Sequence, residues 1–117
     1  MTAPQLKTLF SPDLEPPALP ADAGDCCVLF QATIGPKEGD AAELFTFEVV
    51  TPRYLERSGL PRWGRGLLVI ESFAWADVIA ALAALLAQAQ RESWPDTIEA
   101  LNHELHWAFD NRRPFTG

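Results

Sequence analysis

Catalytic and cofactor-binding signatures are missing from this sequence, and each absence excludes something. There is no nucleophile elbow, no Walker A loop and no dinucleotide-binding glycine pattern. Gly64-x-Gly66 precedes a strand pattern rather than a helix, so it offers no helix amides to a phosphate. Only two cysteines occur, side by side at Cys26-Cys27. A bridge between neighbours needs strained geometry, and C-x-x-C spacing for a metal or redox site is missing. Both are read as reduced thiols of a cytosolic protein, filling space as small buried residues. His103 and His106, the only histidines, would share a face on a continuous helix and could begin a metal site. A helix-to-strand change is predicted between them, and no second pair of ligands has a matching spacing. No metal or other cofactor is therefore expected. The first residues hold no basic region followed by an apolar core, so no signal peptide is expected. The apolar stretch 74–90 contains Asp77 and ends in Gln88, Gln90 and Arg91, too short and too interrupted to span a bilayer.

Positive charge is also scarce. Sixteen acidic residues face nine basic ones, a net charge of −7 over 117 residues. An acidic chain repels phosphate backbones, which disfavours nucleic-acid binding and favours a basic protein partner, although on composition alone plain solubility is enough to account for the charge. Four arginines, Arg53, Arg57, Arg62 and Arg65, break the trend over 51–66. The length fits one domain, enough to bury roughly two thirds of the surface its unfolded form exposes.

What is present is organised around Gly66–Gln90. Its first part is a short branched and aliphatic run, predicted as a strand over Leu67–Ser72 with Leu68 and Ile70 inward. A helix follows, in which Trp75, Val78, Ile79, Leu82, Leu85 and Leu86 recur at spacings of three and four and share one face. That face needs a sheet. Residues 1–24 hold half of the ten prolines and are predicted as an extended arm, because proline forbids a regular helix there and removes ladder donors. Leu6, Leu9, Phe10 and Leu14 are available to pin it. The rest, 25–117, reads as a single α+β domain. From Cys26 to Ile34 the period is two, with Val28, Phe30, Ala32 and Ile34 on one side. A loop with Pro36 and Gly39 leads to a second alternating run, Phe45, Phe47 and Val49 against Thr46, Glu48 and Val50, so an antiparallel hairpin is predicted. Arg53–Arg57 fits a turn or two of helix. Ser93-Trp94-Pro95-Asp96 reads as a capped helix start, with Ile98, Leu101 and Leu105 on its buried stripe. Trp107 and Phe109 make a last strand. The order β-β-β-α-α-β implies an antiparallel or mixed four-stranded sheet with two helices on one face.

If the helices cover Phe30, Phe47, Ile70 and Trp107, parity sends Gln31, Glu48, Glu71, His106 and Asp110 to the other face. Three carboxylates and a histidine there suit an ordinary solvated face, a docking site for a basic partner, or acid/base chemistry, although a flat open face does not desolvate groups as catalysis requires. Trp63, between Arg62 and Gly64-Arg65, either serves as a binding hot spot or caps the edge of the core.

The residues also carry a family resemblance. Ile34-Gly35-Pro36-Lys37 with Glu38-Gly39, Phe45-Thr46-Phe47-Glu48-Val49 leading into Thr51-Pro52-Arg53-Tyr54-Leu55, Gly66-Leu67-Leu68-Val69 with Phe73-Ala74-Trp75, Ser93-Trp94 and Trp107-Ala108-Phe109-Asp110 stand in the order found in the immunity protein 8 family of bacterial polymorphic-toxin systems, which the chain resembles over roughly residues 26–114. Ala74 and Ala108 stand where that family usually has acidic residues. The resemblance implies a cytoplasmic antidote, not an enzyme, that binds and neutralises a cognate toxin domain. The candidate toxin-binding residues are Glu38, Asp40 and Glu43 of the hairpin loop with Glu48, Trp63, Glu71, His106 and Asp110. The alternatives are a small metal-dependent hydrolase using the acidic and histidine cluster, or an adaptor that self-associates through a sheet edge.

Overall fold

The computed structural model describes residues 3–60 and 64–108. Their order is β1 (Pro4–Phe10), β2 (Cys27–Pro36), β3 (Glu43–Val50), α1 (Pro52–Ser58), β4 (Leu67–Val69), α2 (Trp75–Ala89), α3 (Trp94–Glu104) and β5 (His106–Trp107). One mixed sheet results, an α+β fold as the patterning implies. The antiparallel hairpin of β2 and β3 is its centre, with Phe30 opposite Phe47. The far edge of β3 is divided between two short strands. β4 runs parallel to its second half, pairing Leu67 with Glu48 and Val69 with Val50; β5 runs antiparallel to its first half, pairing Trp107 with Phe45.

Part of the proline-rich stretch is a strand, and the rest runs through bends and turns. β1 pairs antiparallel with β2 and shifts register between Leu6 and Thr8. Between Pro4 and Pro12 seven residues keep their amide donors, which is enough for an edge strand. Beyond it the chain stays attached: Ala18 accepts a hydrogen bond from the Trp75 indole at 2.7 Å, and Phe73 donates to the Ala23 carbonyl. Leu6, Leu9 and Leu14 pack against the core, whereas Phe10 points away from it and is 56% exposed.

Burial follows the alternation. Val28, Phe30, Ala32 and Ile34 of β2 and Phe45, Phe47 and Val49 of β3 form one cluster with Val78, Leu82 and Leu86 of α2 and Ile98 and Leu101 of α3. Phe30 is its hub, with ring centroids 5.4 Å from Phe47 and from Trp75 and 6.3 Å from Phe73. Truncating such a ring to alanine costs about 3–5 kcal/mol. Ile79 departs from the expected stripe: it lies at the rim of the apolar arc and is exposed. β4 is also shorter than expected, since after Ile70 donates to the Val50 carbonyl the chain bends away at Glu71.

Side chains set the helix starts. Ser93 caps α3 by accepting from the Asp96 amide at 3.2 Å, with Pro95 in the first turn. Thr51, fully buried, caps α1 through Tyr54 and also accepts from the Cys26 amide at 3.1 Å, so one hydroxyl joins the end of β3 to the start of β2. Beside it Arg57 forks onto Asp25. That hydrogen-bonded guanidinium holds the Asp25 carboxyl below its ordinary value of 3.8. A lowered carboxylate pKa contributes stability that is complete above the unfolded value and is lost as pH falls through the folded one. Asp25→Asn should therefore flatten part of the acid limb of stability below about pH 4, and salt should reduce the difference from wild type at pH 7. Urea unfolding between pH 2.5 and 7 measures both, and an unchanged acid limb would contradict the pairing.

Candidate binding surface

Parity leaves the other sheet face to Leu29, Gln31 and Thr33 of β2 and Thr46 and Glu48 of β3. β1 adds Thr8 and Phe10, β4 adds Leu67 and Val69, and β5 adds His106. The composition is mixed. Val69 is 51% exposed, while the Thr8 and Thr33 hydroxyls share a 2.6 Å hydrogen bond. Glu48 is half-buried and accepts from the Cys27 thiol at 3.1 Å. Cys27 is thus on this face and Cys26 on the buried one, and neither is in a disulfide. Burial, reinforced by Asp22 and Asp25, pushes the Cys26 thiol pKa up.

The sequence-predicted residues divide into separate groups. Glu48 and His106 lie at strand positions on the open face, His106 opposite Thr46 and two residues along β3 from Glu48. Glu71 is exposed but sits in the bend past β4, so parity alone no longer places it. Glu38 and Asp40 are exposed in the connection between β2 and β3, where Lys7 donates to the Gly39 carbonyl. Glu43 has the parity of Phe45, toward the helices, and accepts from the Trp107 indole at 3.0 Å. Trp63 and Asp110 lie outside the described residues. The structure thus brings Glu48 and His106 to one face and sets Glu38 and Asp40 at the hairpin end. Among the described residues no group of three His, Cys, Asp or Glu side chains is arranged to hold a metal ion.

Sequence reasoning missed the residue that holds the junction of β4, β5 and α3. Asn102 is 2% exposed. Its amide oxygen accepts from the Arg65 guanidinium at 2.6 Å and from the Trp107 backbone amide at 2.9 Å. Gly66 donates to the Glu104 carbonyl, and its own carbonyl accepts from Glu48. A signal was available: Asn102 falls four residues after Ile98, on the buried side of α3, where a polar side chain must find partners. Gly66 is required twice over. Its φ is +79°, and a Cβ there would overlap the His106 ring.

A family model described as immunity protein 8 matches residues 5–112. No curated protein and no solved structure gives a match to the chain.

Gly66→Ala should destabilise the fold by about 1–3 kcal/mol. Adding His106→Ala should return the part due to overlap and leave only the cost of the left-handed backbone, about 1–2 kcal/mol. Urea unfolding of the two single variants and the double variant measures this, and an additive cycle would contradict the placement of the His106 ring.

Proposed function

The chain belongs to the immunity protein 8 family, and from that premise we propose that it binds a cognate bacterial toxin domain and neutralises it by covering the toxin's working surface. The family match over 108 of 117 residues, 5–112, carries the reading. Three physical features support it. The helices pack on one face of the sheet, leaving the face of Glu48, His106, Phe10 and Val69 for docking. The net charge of −7 and the exposed Glu38 and Asp40 suit a basic toxin, since complementary charge speeds encounter and suppresses wrong partners. Leu67 and Val69 on β4, with Phe10 on β1 across the same face, supply the apolar surface on which affinity depends. A standard interface of about 1,600 Å² would take in the hairpin end and most of this face.

The same reading makes the protein a stoichiometric inhibitor rather than an enzyme, and cytoplasmic, where thiols outside disulfides such as those of Cys26 and Cys27 persist. No helix among the described residues is long and apolar enough to cross a membrane. No observation specifically favours a hydrolase or a self-associating adaptor.

Reversing Glu48 and Glu71 to lysine should weaken binding of the toxin domain encoded next to this gene by at least about tenfold, with the circular dichroism spectrum unchanged. Reversing Glu38 and Asp40 should act chiefly on the association rate, lowering it about tenfold at low salt and less at high salt. Biosensor kinetics and protection of toxin-producing cells give the readout, and undiminished protection by all four reversals would remove this surface from the interface.

A further inference from the structure

Two recesses adjoin on the helix side of the sheet, around the edge of β4 from the open face. The first, about 130 Å³, lies between Leu67 and Leu68 of β4, Ala81, Leu82 and Leu85 of α2, and Leu105. Its walls are apolar but for Glu104. The second, about 250 Å³, lies between α2 and α3, lined by Gln88, Arg91, Ala100 and His103. Leu85 and Glu104 belong to both, so the two make one groove with a carboxylate at its middle.

Size and charge together define what fits. An apolar cavity of about 150 Å³ takes up benzene, so the first recess accommodates one aliphatic or aromatic side chain. Glu104 is exposed and has no salt bridge among the described residues. Arg91, the one guanidinium among the described residues that line the groove, is turned onto the Gln88 and Gln90 carbonyls at 2.7 and 3.0 Å. An unneutralised carboxylate at the mouth of an apolar slot, on a chain of net charge −7, attracts a cation and repels an acidic segment. Leu67 lines the slot and also pairs with Glu48 on the open sheet, so the groove continues the proposed docking face around the strand edge.

We infer that this groove receives a short segment of the toxin domain in which an apolar anchor residue is followed closely by a lysine or arginine, the anchor filling the β4–α2 slot and the cation pairing with Glu104. The inference rests on the toxin-binding reading above and adds the chemistry of the contact.

Titration calorimetry of the full chain with the neighbouring toxin domain tests both levels separately. Ala81→Trp fills the slot and Glu104→Lys reverses the charge. Each should weaken binding at least tenfold, and only the Glu104→Lys loss should shrink as salt is raised. If the unmodified chain does not bind the domain, the functional reading falls and the groove with it. If it binds, and either folded variant binds equally well, the groove assignment alone is overturned. Should Ala81→Trp fail to fold, Glu104→Lys decides by itself, because that side chain is exposed and has no salt bridge among the described residues. Sedimentation of the unmodified chain without toxin adds a control: a dimer abolished by Ala81→Trp would assign the groove to a second copy and contradict the inference.

Discussion

One buried amide oxygen holds this fold's least regular junction together. Strands β2 and β3 are fixed by their own alternation and by a short loop, but the far edge of β3 must accept two strands of opposite direction from distant parts of the chain. Asn102 makes that possible by binding Arg65 before β4 and the Trp107 amide in β5 at once. A buried donor left without its acceptor costs about 1–3 kcal/mol, so losing this oxygen would weaken the hold on both strands together. The same junction sets Leu105 under the sheet and Glu104 beside it, which shapes the groove at the β4 edge.

The two faces of the sheet have different tasks. Toward the helices, Phe30 and its aromatic neighbours make a dry interior with no polar group of β2 or β3 between Val28 and Ala32 or between Phe45 and Val49 on that side. Away from them the face mixes threonines, aliphatic residues, Glu48 and His106. Catalysis calls for desolvated carboxylates, and Glu48 on this face is only half-buried. The surface suits docking, where apolar area supplies affinity and charges at the edge supply approach and selectivity. The acidic residues are accordingly spread around the surface, at the hairpin end, past β4 and in the groove, rather than gathered in one cluster.

Much of the fold was legible because strong periodicity and caps agree with tertiary packing. The period-two runs of β2 and β3, the stripe of α2 and the Ser93 cap of α3 all reappear in the structure. β1 was read only as an extended arm because prolines on both sides hide a seven-residue run that still has its donors. Ile79 was misplaced since an apolar residue at the rim of a helical arc satisfies the spacing rule without being covered. The surface was harder to read. Parity counted Glu71 onto the open face, but parity holds only while a strand lasts, and β4 stops two residues earlier. Glu43 looked available by charge, yet its partner Trp107 lies 64 positions away in sequence, a contact no local pattern signals. Arg65 and Asn102 are likewise 37 positions apart, although the place of Asn102 on the buried side of α3 marks it as a polar group in need of partners.

The central claim is that this chain neutralises a toxin by occupying its surface with the exposed sheet face, the hairpin end and the rim at β4. Hydrogen exchange of the chain alone and in complex with the toxin domain encoded beside it tests that most directly. The account predicts slowed exchange in residues 37–43 and 64–70 on binding, with the 12–22 segment unchanged. Protection confined to residues 12–22, or no complex at micromolar concentration, would contradict it.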